Sequence, residues 1–288
     1  MNRWSVLLLV LALLCASVVI AGEVYRWRDE HGGVHYGSRP VGDATLLFRT
    51  EERKPASVDS RRETVVVSRV VDGDTVLLAN GHRVRLVGIN APEVAVAGKA
   101  GQSGGQDARS RLAELVGDKR PLQFERAVEP VDRYGRLLGH LFDPGVGDVA
   151  AVMLKEGLVF ALPYPPNVKY ADAYMLAEAP ARDGQQGLWA MPEYQVIEPS
   201  ALVDAGNLFR RVRMQVTTMS RDGKDEILRD RGGFEARIPR EAVSGFPALS
   251  GLLGKTLVVR GFVRSRVGRP YLPLVHPSQI EPDSTAGE

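Results

Sequence analysis

The sequence predicts an α+β protein that is mainly β, and three observations support this prediction. Short β-branched runs such as TVVVSRVV, DTVLLA and HRVRLVG are separated by Asp-Gly and Asn-Gly turns, a pattern typical of a meander that closes into a small barrel. Apolar residues then recur at helical spacing within the same block. Strand-like runs return after about residue 201, with Gly-Lys and Gly-Arg turns that indicate a second small β structure.

The first 21 residues have the layout of a secretory signal peptide. Arg3 precedes an almost wholly apolar run from Val6 to Ile20, and small residues follow at Ala21 and Gly22. An uncleaved membrane anchor is the alternative, but the run is shorter than the roughly 18 residues that a spanning helix needs. We therefore expect a cleaved signal, a periplasmic or secreted protein, no membrane span in the mature chain, and a monomer.

The single cysteine, Cys15, lies inside this N-terminal segment. Leu14 precedes it where a lipoprotein signal would have glycine or alanine, so lipidation is not expected. The mature chain would then have no disulfide, no thiol nucleophile and no thiolate metal site. Its stability must come from a core, which agrees with 288 residues that are 44% hydrophobic and 25% charged.

Composition divides the rest of the chain into four predicted segments. They are a small β-hairpin domain at 22–50 around a Gly-Gly turn, a charged linker at 51–62, a central block of strands and helices at 63–198, and a β-barrel-like domain at 201–282. In the central block, helices are expected around 108–116, before Gly157, and over 169–182 with an end near Gly184.

The hairpin segment resembles a short domain of unknown function that commonly follows bacterial signal peptides. The resemblance covers about twenty residues and rests on Tyr25, Trp27, a turn with Asp and Gly, His35, Tyr36, Arg39 and Pro40. It implies a place in the cell envelope and no particular activity.

The two larger predicted domains differ in charge. Residues 201–288 hold 14 Lys and Arg against 10 Asp and Glu, a net charge of +4, whereas residues 62–200 hold 15 against 18, a net charge of −3. The C-terminal segment is therefore the part expected to bind a polyanion without chemistry, through arginines gathered on one surface. These are Arg210, Arg211, Arg213, Arg260, Arg264, Arg266 and Arg269. Two alternatives stay open: the arginines only solubilise a packing domain, or the segment completes the fold of the central block.

A candidate cation site lies in the stretch VVDGDTVLLANGHRVRLVGINAPE, residues 70–93. Asp72 and Asp74 flank Gly73, and glycine lets the backbone turn tightly enough to bring neighbouring oxygens onto one hard cation such as Ca²⁺. The same pattern is also that of an ordinary Asp-Gly turn. Asn90, further along the stretch, can offer an amide oxygen to the same cation.

The residues around this candidate cation site are typical of phosphodiester chemistry. Val84 and Leu86 share one face of a predicted strand, so Arg85 points away from the core. A carboxylate such as Glu93 can act as general base on a metal-bound water, and an arginine can neutralise the charge that develops on a phosphate. Arg136, after a Tyr-Gly turn, can supply a second guanidinium. Together these residues predict a metal-assisted phosphodiesterase.

In their order, these motifs resemble the thermonuclease, or staphylococcal nuclease-like, family. The matching motifs are V-x-DGDT, VRLVGINAPE, DRYGR, a helix ending in KEGLVF and a helix ending in GLWA at Gly187–Ala190, spread over about 130 residues. The resemblance implies a five-stranded OB barrel with three helices, flanked here by the N-terminal hairpin domain and the small C-terminal β domain.

The resemblance also implies roles for individual residues: a catalytic set, a calcium site and two nucleotide contacts. The catalytic residues would be Arg85, Glu93 and Arg136, the calcium ligands Asp74, Asn90 and the carbonyl of Ala91, and the nucleotide-contacting residues Tyr134 and Tyr164. One position departs from the family, which usually has an aspartate where this chain has Asn90. A neutral ligand should weaken Ca²⁺ binding.

The leading functional hypothesis is an exported, calcium-dependent endonuclease that hydrolyses DNA and RNA, preferably as single strands, and leaves a 3′-phosphate and a 5′-hydroxyl as the family does. One alternative is a non-catalytic envelope protein that binds single strands through stacking and phosphate contacts. Another is an envelope interaction protein led by the hairpin domain. Glu93 together with the two arginines favours the first. His82 and His140 are expected on the barrel surface, since Glu93 already fills the role of base.

Overall fold

A computed structural model of the chain describes residues 23–28, 34–37, 45–49, 61–98, 100–117, 119–202 and 208–282. The chain forms two compact units, Met1–Ser57 and Val58–Glu288. The predicted signal peptide and most of the predicted linker lie outside the described residues. Within the described ranges, no helix is long and apolar enough to cross a membrane.

The first unit contains a three-stranded antiparallel sheet with the order β2-β1-β3. Its strands are β1 (Glu23–Arg28), β2 (Val34–Gly37) and β3 (Thr45–Arg49). β1 pairs with β2, with Trp27 opposite His35, so the predicted hairpin is confirmed. β3, which the hairpin prediction did not include, pairs with the other edge of β1. Its sequence TLLFR lacks the polar alternation that marks the first two strands.

A closed five-stranded barrel with three helices forms the first part of the second unit. Its elements are β4 (Arg62–Asp72), β5 (Thr75–Leu78), β6 (Arg83–Leu86), β7 (Ile89–Asn90), α1 (Gly105–Val116), β8 (Pro121–Val131), β9 (Leu137–Asp143), β10 (Gly147–Asp148), α2 (Val149–Lys155), β11 (Phe160–Ala161) and α3 (Ala171–Asp183). The pairing runs β4-β5-β6-β9-β8 and returns from β8 to β4. The predicted barrel and its three helices are thereby confirmed.

Alternation along the strands fills the barrel and directs polar side chains outward. In β6, Val84 and Leu86 are buried while Arg83 is exposed and Arg85 is half-buried, as predicted. The GLWA segment, expected at the end of a helix, forms a separate 3₁₀ turn after α3. Gly187 begins that turn with φ of 55°, and a Cβ there would lie 2.4 Å from the carbonyl oxygen of Gly157. This close approach requires glycine at the start of the 3₁₀ turn.

The C-terminal region, defined here as residues 208–282, consists of two sheets around one core. Together with the preceding β12 (Val196–Ile197), its elements are β13 (Phe209–Gln215), β14 (Thr218–Asp222), β15 (Asp225–Arg229), β16 (Glu235–Pro239), α4 (Arg240–Val243), β17 (Thr256–Phe262), β18 (Arg264–Arg266), β19 (Arg269–Pro273) and β20 (Ile280–Pro282). The sheet orders are β12-β13-β17-β20 and β14-β15-β16-β19-β18. Apolar residues of both sheets, such as Val212 and Leu228, join in one core.

The C-terminal region packs directly on the barrel. Phe209 stacks on Phe160 with ring centroids 4.2 Å apart, and Phe160 also meets Trp189 edge-on at 5.1 Å. Arg260, expected on a basic surface, is instead fully buried, with Nη1 2.6 Å from Glu178 of α3. The surface prediction was wrong for this residue because a buried carboxylate from the barrel holds its guanidinium in the interface.

Candidate active site

A tight turn between β4 and β5 carries two of the predicted acidic residues. Oδ1 of Asp72 accepts the backbone N–H of Asp74 at 3.0 Å across Gly73. A Cβ on Gly73 would lie 2.6 Å from the Cβ atoms of both Ala91 and Ala108. The predicted Asp-Gly-Asp turn is therefore present, and its glycine lets α1 and the segment after β7 pack against it.

Asp74 is buried and pairs with Arg85. Its Oδ2 accepts the backbone N–H of Ala91 at 2.8 Å and lies 2.8 Å from Nη2 of Arg85. Its Oδ1 accepts the hydroxyl of Thr75 at 3.0 Å. Burial raises the pKa of Asp74 to about 7; Arg85 opposes this rise and Asp72 adds to it. Burial makes the negative charge of Asp74 unfavourable, and the positive charge of Arg85 beside it stabilises the ionised form.

The DRYGR turn before β9 positions Arg136. Oδ1 of Asp132 accepts the backbone N–H groups of Tyr134 and Arg136 at 2.9 and 3.0 Å, and Oδ2 accepts Nε of Arg136 at 2.7 Å. Burial would raise the pKa of Asp132, but the hydrogen bonds from Arg136 outweigh it and hold that pKa below its usual value. Because Nε of Arg136 donates to Asp132, its two Nη nitrogens can donate hydrogen bonds to a phosphate. Asp132 was not predicted as a site residue, although an aspartate that opens a turn is a known signal.

One cleft of about 540 Å³ brings together five of the eight predicted site residues. They are Arg85, Asn90, Tyr134, Arg136 and Tyr164. The other three, Asp74, Ala91 and Glu93, are described but do not line this cleft. Asp74 contacts the cleft-lining Arg85 through an ion pair, and Ala91 in turn donates a hydrogen bond to Asp74.

Two large rings stand exposed in the cleft. Tyr134 is 69% exposed and Tyr164 is 61% exposed. The guanidinium of Arg133 lies 4.8 Å from the ring centroid of Tyr134, and that of Arg136 lies 5.6 Å from it. An exposed ring beside cations can stack a base while the cations bind its phosphate.

Asn167 joins the loop that carries Tyr164 to the end of β8, the strand that leads into the Tyr134 turn. Its Oδ1 accepts the backbone N–H of Glu129 at 2.8 Å, and its Nδ2 donates to the carbonyl of Glu129 at 3.1 Å. Its own backbone N–H donates to the carbonyl of Tyr164 at 2.9 Å. Asn167 was missed in the sequence because its partner, Glu129, lies 38 residues away and no local pattern connects them.

Glu93 has a fixed backbone and an exposed carboxylate. Its N–H donates to Oε1 of Gln102 at 3.0 Å, and its carbonyl accepts the N–H of Gln102 at 2.8 Å. The start of α1 packs closely on it, because a Cβ on Gly105 would lie 2.5 Å from the carbonyl oxygen of Glu93. These contacts fix the backbone of Glu93, three residues beyond Asn90, while its carboxylate remains exposed.

The oxygen atoms of this region suit a hard cation. Across the described ranges, no group of three or more His, Cys, Asp and Glu side chains is placed to hold a metal. The donors are instead the neighbouring Asp72 and Asp74, the carbonyl of Ala91 and the amide of Asn90, whose Nδ2 lies 3.2 Å from that carbonyl. Such oxygens, completed by water, are the ligands of Ca²⁺. Burial of Asp74 beside Asp72 disfavours its negative charge and raises its pKa, and a bound cation would stabilise that charge, so these oxygens are chemically compatible with calcium.

The two histidines near the barrel differ. His82 is exposed as expected, whereas His140 is buried, so the surface prediction for His140 was wrong. Its Nδ1 lies 2.8 Å from the hydroxyl of Tyr174, and burial lowers the pKa of His140 to about 4. The reason is that β9 is covered on both faces: Leu141 enters the barrel core, and α3 covers the other side through Tyr174.

Comparison with known proteins yields two family matches and several related nucleases. The family described as staphylococcal nuclease homologue matches residues 83–191, and a domain of unknown function (DUF4124) matches residues 11–71. A micrococcal nuclease of Shigella flexneri is 37% identical over 168 residues, 54% of this chain and 87% of the relative. A thermonuclease of Staphylococcus intermedius is 34% identical over 142 residues, which are 47% of this chain and 82% of the relative. Endonuclease YncB of Bacillus subtilis is 33% identical over 156 residues, which are 51% of this chain and 73% of the relative.

These relatives decide between the functional hypotheses. All three are nucleases by name, and the chain covers most of the length of each. The family match begins in β6 and ends at residue 191, before the C-terminal region. The family match thus includes Arg85, Glu93 and Arg136 and all three helices of the barrel domain. The chain belongs to the staphylococcal nuclease family and is an endonuclease that hydrolyses nucleic acids.

Proposed function

We propose that this endonuclease is exported, requires calcium, acts as a monomer and hydrolyses both DNA and RNA, preferably as single strands. The observation that carries the proposal is the cleft in which Arg85 and Arg136 lie together with the exposed rings of Tyr134 and Tyr164. Guanidinium groups bind phosphates and tyrosine rings stack on base faces. DNA and RNA share both features, so neither is excluded as substrate.

Arg85 and Arg136 are proposed to bind the scissile phosphate together. β6 and β9 are parallel neighbours, and Arg85 lies opposite Leu138, two residues beyond Arg136. Arg136 directly precedes β9, so the two arginines lie close together along neighbouring strands, and both line the same cleft. Each can form two parallel hydrogen bonds to phosphate oxygens and stabilise the negative charge that develops on them during displacement.

Glu93 is proposed as the general base. It would take a proton from the attacking water while the water oxygen bonds to phosphorus. The bond from phosphorus to the 5′ oxygen then breaks, and that oxygen gains a proton, which leaves a 3′-phosphate and a 5′-hydroxyl. The backbone hydrogen bonds between Glu93 and Gln102 support this role, because they fix the position from which the carboxylate reaches the water.

Asp74, Asn90 and the carbonyl of Ala91 are proposed to hold Ca²⁺. Members of the family are generally calcium-dependent. When bound, the ion supplies positive charge beside the phosphate and the attacking water. Asp74 contributes the only negative charge of this set, and Asn90 is neutral, so we expect weaker calcium binding than a set with two carboxylates would give.

Export rests on the sequence of residues 1–21, with its basic start, apolar run and small residues. Expression of the full chain followed by cell fractionation should place the protein in the periplasm or the medium. N-terminal sequencing of that material should begin at Gly22. A full-length chain retained in the membrane fraction would contradict cleavage and favour an anchor.

The catalytic proposal is tested with labelled single-stranded DNA and RNA of matched sequence. The mature protein should cleave both with added Ca²⁺, and a calcium chelator should stop both reactions. End-group analysis of the products should find 3′-phosphates. Undiminished cleavage in excess chelator would rule out the calcium requirement while leaving the nuclease assignment intact.

A further inference from the structure

The C-terminal region supplies part of the wall of the active-site cleft. Six of its residues line the same cleft as the two arginines of the barrel: Pro239, Phe262, Arg264, Pro273, Val275 and Gln279. The match to the nuclease family ends at residue 191, so this wall lies beyond the shared part of the fold. The cleft is therefore larger here than the barrel alone would make it.

This wall is held in place from inside the C-terminal region. The side chain of Gln279 is buried, and its Nε2 donates to the carbonyls of Arg260 and Pro273, both at 3.1 Å. Its Oε1 accepts the N–H of Val275 at 2.7 Å. Arg260 in turn is tied to the barrel through Glu178. The wall is thus connected to the nuclease core by a continuous set of buried polar contacts.

Arg264 is an exposed cation of this wall. Other arginines of the region are neutralised by carboxylates. Examples are Arg211 with Glu281 at 2.7 Å, Arg260 with Glu178 at 2.6 Å and Arg266 with Asp222 at 2.9 Å. Within the described part of the chain, no carboxylate pairs with Arg264. Its guanidinium is therefore available to an anion in a cleft that already contains two phosphate-binding arginines.

A second hollow of about 320 Å³ continues the cleft along this wall. Its lining is Tyr164, Pro165, Pro166, Pro239, Glu241, Ala242 and Val275. Tyr164, Pro165, Pro239 and Val275 line both spaces, so the exposed ring of Tyr164 stands where they meet. Proline rings and an exposed tyrosine offer apolar faces to a base, whereas Glu241 disfavours a phosphate at this end.

We propose that the C-terminal region forms an additional nucleotide subsite for single-stranded nucleic acid, in which Arg264 binds a phosphate next to the scissile one and the apolar wall receives an unstacked base. The inference rests on the proposed function, since it extends the same cleft along the substrate. Only unpaired bases can splay out and stack on protein side chains. The subsite would therefore contribute to a preference for single strands.

The test measures binding without hydrolysis, in the otherwise full-length mature protein carrying Glu93→Gln. A fluorescent thymidine hexanucleotide is titrated by anisotropy at several KCl concentrations. Arg264→Ala should weaken binding about fivefold and reduce the slope of log affinity against log salt by about 0.7, the contribution of one phosphate contact on a single strand. A thymidine dinucleotide has a single phosphate, which would occupy the position between the two barrel arginines, so it should bind equally well with and without Arg264.

The matched control is Arg269→Ala. Arg269 is exposed and lies on β19, the strand paired with β18, but it does not line the cleft. Its loss removes the same charge from the same hairpin and should leave hexanucleotide affinity and salt slope unchanged. Equal losses in the two variants would attribute the effect to net charge and overturn the subsite, as would an unchanged affinity in Arg264→Ala. Because no turnover is measured, a failure of the parent to cleave would count against the proposed function alone.

Discussion

Two arginine–carboxylate pairs with the same chemistry serve different purposes in this molecule. At the interface with the C-terminal region, Arg260 and Glu178 lie 2.6 Å apart and both side chains are 0% exposed. In the cleft, Arg85 and Asp74 lie 2.8 Å apart with side chains 19% and 8% exposed. The first pair has water on no side, whereas the arginine of the second pair can still reach a substrate.

The surroundings of the two pairs explain the difference. Glu178 also accepts the backbone N–H of Ala161 at 2.7 Å, and Arg260 donates to the carbonyl of the same residue at 3.0 Å. Both ions are therefore committed to the packing of β11 and α3 against β17. Burial raises the pKa of Asp74 to about 7 although Arg85 opposes the rise, so Asp74 would take up a proton readily if Arg85 were lost. The enclosed pair of Arg260 and Glu178 can only stabilise the fold, whereas the partly exposed Arg85 can also bind a substrate.

The largest effect is expected when the interface pair is broken. Arg260→Ala leaves Glu178 buried without its cation and should lower the free energy of unfolding by about 3 to 5 kcal/mol. Urea unfolding followed by circular dichroism measures this change. The exposed control Arg269→Ala should change the free energy by less than about 0.5 kcal/mol.

Two further variants sharpen this comparison. Glu178→Leu combined with Arg260→Met replaces the pair by apolar side chains and should recover much of the lost stability. Arg85→Ala should cost less stability than Arg260→Ala, because Asp74 can take up a proton or a metal ion instead. If Arg85→Ala proved as destabilising as Arg260→Ala, the distinction between the two pairs would be wrong.

The next largest effect is expected at Glu93, and here catalysis should change without stability. Glu93→Gln removes the base while keeping the shape, so kcat on single-stranded DNA should fall by roughly 10²-fold or more. The backbone contacts with Gln102 remain, so the urea midpoint and the affinity for a thymidine hexanucleotide should match those of the parent. Equal turnover by mutant and parent would remove Glu93 from the mechanism.

A smaller loss of kcat is expected when lysine replaces Arg85 or Arg136, because lysine keeps the charge but lacks the planar guanidinium. Arg85→Lys and Arg136→Lys should each lower kcat by roughly tenfold or more, with a much smaller change in KM. Arg133→Lys is the matched control, because Arg133 also lines the cleft but lies against the ring of Tyr134. It should leave kcat near that of the parent. An effect of Arg136→Lys on KM alone would make Arg136 a binding residue only.

The smallest effect is expected at Asn90. Asn90→Asp restores the carboxylate that the family usually carries, so the Ca²⁺ concentration for half-maximal activity should fall a few-fold. The stabilisation of the folded protein by added Ca²⁺, measured as a shift in urea midpoint, should grow in parallel. An unchanged or higher calcium requirement would mean that Asn90 does not contact the ion.

The sequence predicted the local parts of the site well. The alternation of Val84, Arg85 and Leu86 follows from the geometry of a strand, and the Asp-Gly-Asp turn from the conformational freedom of glycine. The DRYGR turn likewise leads into a strand, although β9 begins at Leu137, directly after Arg136. The roles of these residues in catalysis and metal binding stay predictions, because each depends on a measurement of activity.

Residues whose partners are distant in sequence escaped prediction. Asn167 ties the Tyr164 loop to β8 through Glu129, 38 residues away, and no local motif marks it. His140 was expected outside because strand alternation has no way to indicate that a helix covers the outer face of β9. In both cases the deciding contact forms only when separate elements pack together.

Arg260 and Arg264 show most clearly what sequence and tertiary structure each decided. The stretch RGFVR places two arginines four residues apart, one in β17 and one at the start of β18, and its composition and charge are determined by the sequence alone. Tertiary structure made one of them a buried structural ion, because Glu178, 82 residues away, reaches it across the interface. It left the other exposed in the active-site cleft. A charged side chain takes its role from the dielectric and the partners around it, and only the assembled fold sets these.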